Sequence, residues 1–134
     1  MPYSITSMSD ETYAETQGAN IIINGFVYRD RNILEKDYQE RVNERFFTQG
    51  STYRDIATHE SAHVIVYMNQ LKTKDMYVRV FGKPKESAVN VIIENVSEYA
   101  LKDPDELIAE AYVSYRNGFE NDYVLNTLEY SGMI

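Results

Sequence analysis

Cysteine is absent from the sequence, which excludes a disulfide framework and any thiolate metal site. That absence suits an intracellular protein without requiring one. Histidine is scarce, with two copies, so an imidazole-based site must draw on those two. No apolar run approaches the roughly 20 residues of a membrane-spanning helix. The opening MPYSITSMSDETYAET lacks a basic stretch followed by an apolar one, so no signal peptide is expected. Basic runs are also missing, and the formal net charge is −8. A chain of that sign repels phosphate backbones, so nucleic acid is not an expected partner, and without a long apolar run neither is a membrane.

What is present fits one compact domain: 134 residues, 43% of them apolar, enough for a real core. Residues 1–18 are polar and read as an irregular N-terminal arm, with the folded domain over 19–134. In residues 20–29 Ile21, Ile22, Ile23, Phe26, Val27 and Tyr28 favour strand. Asn24-Gly25 between the two runs is either a tight hairpin turn or the point where one strand enters a loop. Apolar residues at helical spacing (Ile33, Leu34, Tyr38, Val42, Phe46) predict a helix over 33–47, stopped at Gln49-Gly50. Ser51 and Thr52 offer caps, Thr52 and Asp55 have capping-box spacing, and the next helix is expected to run to about Leu71. Residues 72–85 are mixed, with Gly82-Lys83-Pro84 as a break. Residues 86–97 suit a helix, although Val89, Val91, Ile92 and Ile93 would also suit a strand. Asp103-Pro104 starts a helix that Asn117-Gly118 ends, and a last amphipathic helix covers 120–130. The expected class is α+β, mostly helical, with a small sheet.

The first chemical motif is His59-Glu60-Ser61-Ala62-His63, an H-E-x-x-H. Residues four apart on a helix lie one above the other, so two imidazoles at this spacing can bind one metal without bending the backbone. Glu60, turned slightly aside, can reach a water on the open side of that metal and take its proton. By chance the pattern arises in on the order of a few per thousand chains of this length. Here it uses both histidines of the protein and sits within a capped helix. Its bland reading is two surface histidines and a solvated carboxylate.

Two histidines need a third ligand, and with cysteine absent a glutamate on a second helix is the natural supplier. Glu106 and Glu110, four apart beside Leu107, Ile108 and Ala109, face one side of the 104–115 helix. Burying two carboxylates among apolar residues is costly unless something positive faces them. Glu106 also occupies the N3 position of an Asp103-Pro104-Asp105-Glu106 capping box. Glu110 could equally be a solvated helix residue, and Tyr99 a core tyrosine.

HESAH followed by SEYALKDPDELIAEAYVSY resembles the gluzincin pattern H-E-x-x-H … Y … E-x-x-A-E. It is similar to the catalytic domain of anthrax lethal factor, and more so to the compact zincin-like domains of phage minor head (head-morphogenesis) proteins. The resemblance spans roughly residues 20–130. It implies that His59, His63 and Glu106 hold Zn2+ and that Glu60 is the general base. It further implies that Tyr99, seven residues before Glu106, stabilises the oxyanion, and that Glu110 is an outer acceptor behind a histidine. Ala62 departs from the family's glycine, and the chain is short enough to lack a substrate-binding partner domain.

The expected function is zinc-dependent peptide-bond hydrolysis of phage or host proteins, in the host cytoplasm or the virion. A strand at 20–28 would offer an edge to an extended peptide. Two alternatives stand beside it. One is a virion protein in which zinc only staples the fold; the other is an exported effector protease.

Overall fold

The structure, a computed structural model, describes residues 3–6, 13–24 and 30–134. It is α+β and mostly helical. Three short strands, β1 (Tyr3–Thr6), β2 (Ala14–Gln17) and β3 (Asn20–Asn24), form a sheet of order β1-β3-β2. β1 runs parallel to β3, and β2 antiparallel to it. Among the described residues six helices follow: α1 (Arg31–Asn43), α2 (Asp55–Asn69), α3 (Met76–Phe81), α4 (Val89–Asn95), α5 (Pro104–Arg116) and α6 (Asp122–Ser131). No helix among the described residues is long and apolar enough to cross a membrane.

The N-terminal region corrects the sequence reading. The irregular arm expected over residues 1–18 supplies two of the three strands, and a domain boundary at 18/19 would cut through a hairpin. Gln17 pairs with Asn20, so Gly18-Ala19 is the two-residue turn. Gly18 has φ +62°, the left-handed backbone such turns require. Polarity hid this strand. β2 lies at the edge of the sheet, with Glu15 and Gln17 exposed and Ala14 and Thr16 turned inward, so half its residues face water. The second run expected as strand, Phe26 to Tyr28, lies outside the described residues, as does Gly25, while Asn24 is the last residue of β3. β3 pairs on both sides. It therefore has no free edge for a peptide over Asn20–Asn24, contrary to expectation, and β2 is the edge strand beside α2.

The second difference is the end of α1, at Asn43 and not Phe47. The amide of Arg45 donates to the Val42 carbonyl (3.0 Å) and that of Phe46 to the Arg41 carbonyl (2.8 Å), the two bonds of a Schellman turn. Arg45 sits at φ +63°, a position that usually takes glycine, so nothing in the residue types announces it. The turn has a consequence for the site. The Arg45 and Phe46 carbonyls accept from the Glu98 and Tyr99 amides at 2.8 and 3.0 Å, which pins the 3-10 turn Tyr99–Leu101 to the end of α1.

The other expected helices fall near their bounds, while α3 (Met76–Phe81) lies in the stretch 72–85 that reads as mixed in sequence. The 86–97 ambiguity resolves as a 3-10 turn (Lys85–Ser87) followed by α4. α5 is buried on nearly every side, including Leu107, Ile108, Ala109 and Ala111, and packs against both α2 and α6. Two apolar clusters flank the site. The larger gathers α3 to α6 around Ile92, Leu107 and Leu128. The smaller stacks Tyr13, Tyr38 and Phe47 over Leu34. α2 joins them, with Ile56 in the smaller cluster and Val66 in the larger. Its middle turns, which carry both histidines, are therefore held from both ends.

Candidate metal centre

The two motifs meet where α2 crosses α5. The starts of both motif helices are built locally. Asp55 accepts from the Thr52 amide at 2.9 Å, one half of the expected capping box. Asp103 accepts from the Glu106 amide at 2.9 Å, so α5 starts with its cap satisfied and Pro104 at the first helical position. The Glu106 carboxylate does not fold back to complete that box. It points across to α2, where Oε1 lies 2.8 Å from His59 Nε2 and also contacts His63 Nε2. The two Nε2 atoms are 3.2 Å apart.

On the other side of the His59 ring, Nδ1 is 2.9 Å from Glu110 Oε2. The second Glu110 oxygen accepts from the Ser97 hydroxyl at 2.7 Å. Ser97 in turn accepts from the Ala100 amide at 3.2 Å. Glu110 is 1% exposed, a carboxylate tolerable there only because both oxygens are paired. Ser97 was not singled out by the motifs. Its sole sequence signal is its place two residues before Tyr99.

These contacts define the chemistry. With Nδ1–H donating to Glu110, neutral His59 presents a bare lone pair at Nε2. That lone pair faces a carboxylate oxygen and a second imidazole nitrogen. Such a group of acceptors repels itself unless a proton or a cation sits among them. Without a cation, burial pulls the His59 pKa down but hydrogen bonds to Glu106 and Glu110 more than reverse this, to about 10. Burial alone would raise Glu106; its hydrogen bonds to His59 and His63 hold it far below the usual carboxylate range. The site thus traps a proton where a divalent cation would fit. Zinc–nitrogen bonds of about 2.0–2.1 Å give tetrahedral ligand edges of about 3.3 Å, close to the 3.2 Å between the imidazole nitrogens. His59, His63 and Glu106 could together hold a divalent metal ion, zinc among them, with Glu110 paired to His59 from behind.

Glu60 lies next to this trio and is itself buried. Ligand-type atoms of His59, Glu60 and His63 fall within 4.8 Å of one another. Glu60 is thus an alternative third carboxylate; among the described residues Glu106 is the carboxylate in direct contact with both imidazoles. The Tyr99 ring stands 5.6 Å from that of His59. Burial, then the charge of Glu106, raise the pKa of its hydroxyl far above the ordinary value, so it stays a proton donor at neutral pH. Two clefts open here. One, of about 450 Å3, is walled by Tyr13, Tyr38, Phe46 and Phe47 and reaches His59 and Glu60. The other, of about 440 Å3, runs past His63 and the carboxylates of Glu15, Asp103 and Asp105. Glu60, Tyr99 and Lys102 border both.

Two consequences are measurable. Glu110→Gln keeps the volume but loses the charge behind His59, and should weaken zinc binding by about 10- to 100-fold with the fold intact, as read by chelator competition. Zinc must also displace the proton on His59, so at pH 7–8 binding should release about one proton. Calorimetry in buffers of different ionisation enthalpy measures this; no proton release would remove His59 from the ligand set.

No protein-family model, curated protein or solved structure matches the chain. A zincin reading therefore rests on these residues and their geometry.

Proposed function

We propose that the chain is a zinc-dependent peptidase of the gluzincin type, acting on a protein or peptide substrate. One observation carries this reading: His59 Nε2, His63 Nε2 and Glu106 Oε1 converge from two helices on a single point, with a fourth group, the Glu60 carboxylate, beside it and outside the direct contacts. Bound there, zinc would polarise the scissile carbonyl and acidify a water molecule.

The chain's own groups do the rest. Glu60 takes a proton from the attacking water as the new C–O bond forms, then passes that proton to the amide nitrogen as the C–N bond breaks, so no proton is lost overall. The Tyr99 hydroxyl, protonated at neutral pH, donates to the carbonyl oxygen as negative charge grows there. Glu110 holds the His59 ring in the tautomer that leaves Nε2 free. The two clefts offer room for chain on either side of the reacting bond. β2, at the sheet edge beside α2, is the strand on which an extended peptide would add.

A zinc-stapled virion protein is the competing reading. A structural site is normally closed by a fourth protein ligand, and Glu60, hydrogen-bonded to Thr16, is the nearest carboxylate that could serve. Metal analysis with proteome-wide cleavage profiling of wild type against Glu60→Gln separates the two. Zinc in both with fragments from wild type alone supports the peptidase. Zinc in both with fragments from neither supports the staple.

A further inference from the structure

We propose that Thr16, on β2, is the positioning residue for the general base; this rests on the peptidase reading of Glu60. The Thr16 hydroxyl donates to Glu60 Oε2 at 2.6 Å, and its oxygen also lies 3.2 Å from the Glu60 main-chain carbonyl. Neither motif contains this residue, and it lies 44 positions away in the chain. No second donor to the Glu60 carboxylate occurs among the described residues.

Glu60 has three χ angles, and its buried carboxylate stands beside the imidazoles of His59 and His63, so without a partner its head can turn toward either of them or away. A single strong hydrogen bond to one oxygen restrains the head and leaves the other oxygen for water. A hydroxyl suits this task better than an amine. A lysine would form an ion pair and hold the carboxylate tightly, whereas a neutral donor fixes direction and leaves the base free to accept a proton. Threonine is also at ease in a strand, being β-branched. Its side chain turns inward on β2 while Glu15 and Gln17 turn out, so the pleat that exposes the edge strand aims this hydroxyl at α2. A peptide adding to β2 would thereby brace the strand that holds the base.

Thr16→Val keeps the shape and strand preference and deletes the hydroxyl; Thr16→Ser keeps the hydroxyl. In the zinc-loaded full chain, Thr16→Val should lower kcat about ten- to hundredfold, part of what a general base contributes. KM should stay within about twofold and zinc content unchanged, and Thr16→Ser should recover most of the rate. A valine variant with wild-type kcat, or a serine variant as impaired as the valine one, overturns the proposal. A crystal structure of zinc-loaded Thr16→Val reads the same point without activity: Glu60 should leave its present rotamer, and an unmoved Glu60 overturns the proposal. If zinc-loaded wild type cleaves nothing yet Glu60 swings free in the variant, the peptidase reading falls and the positioning role stands.

Discussion

Glu60→Gln should retain zinc and lose cleavage by at least about 100-fold, the lower end of what a positioned general base supplies. The two halves of this result have separate causes. Metal is retained because the direct contacts among the ligand atoms are made by His59, His63 and Glu106, none of which changes. The fold is retained because glutamine has the same shape, and its amide oxygen can still accept the Thr16 hydroxyl that now meets Glu60 Oε2. Cleavage is lost because an amide cannot take a proton from water near neutral pH. A variant that cleaves at the wild-type rate would remove Glu60 from the mechanism. A variant that loses zinc would make Glu60 a ligand, turning the site into a closed staple.

The second large effect is expected from Glu106→Ala. Among the described residues its carboxylate is the one in direct contact with both imidazoles, so its loss leaves the two nitrogens with only the more distant Glu60 to complete a metal site. Zinc affinity should fall by more than the roughly 10- to 100-fold typical of an outer hydrogen-bond partner, and zinc content should follow. The metal-free protein should suffer as well. Glu106 and His59 are each 7% exposed, and removing one member of a buried pair costs about 3 kcal/mol or more, on the order of a 10 °C drop in melting temperature for a chain of this size. Alkali should act on the same pair in the metal-free wild type. His59 has its pKa raised from 6.5 to about 10, so its contribution to stability is full below pH 6.5 and lost as pH rises through 10. Glu106 behaves oppositely. Its pKa is lowered from 4.5, so its share is present above pH 4.5 and lost in strong acid. Zinc-loaded protein should lack the alkaline loss, since the metal replaces the proton. Full zinc content in Glu106→Ala would move the ligand role to Glu60 or Glu110.

Much of this site was visible before any fold. H-E-x-x-H needs only a helix to align its histidines, and a helix over Asp55–Asn69 follows from the cap at Thr52 and Asp55. Asp103-Pro104 likewise set the start of α5 and hence the shared face of Glu106 and Glu110. The harder features depend on contacts between distant segments. Glu106 had two plausible duties, cap and ligand, and sequence spacing alone could not choose between them. The strand Ala14–Gln17 looked like polar coil because one face of it meets water. The turn at Arg45 uses a left-handed residue that is not glycine.

The sequence by itself determined which groups are available for chemistry and which helices carry them, because helical periodicity and end-capping are local and act within a few residues. Only the tertiary structure decided that Glu106 turns to the imidazoles, that Ser97 and Glu110 hold His59 from behind, and that Thr16 reaches Glu60 from the sheet. Those choices are made by burial: a carboxylate or imidazole taken out of water must find its partner wherever packing places one, and that partner is far along the chain.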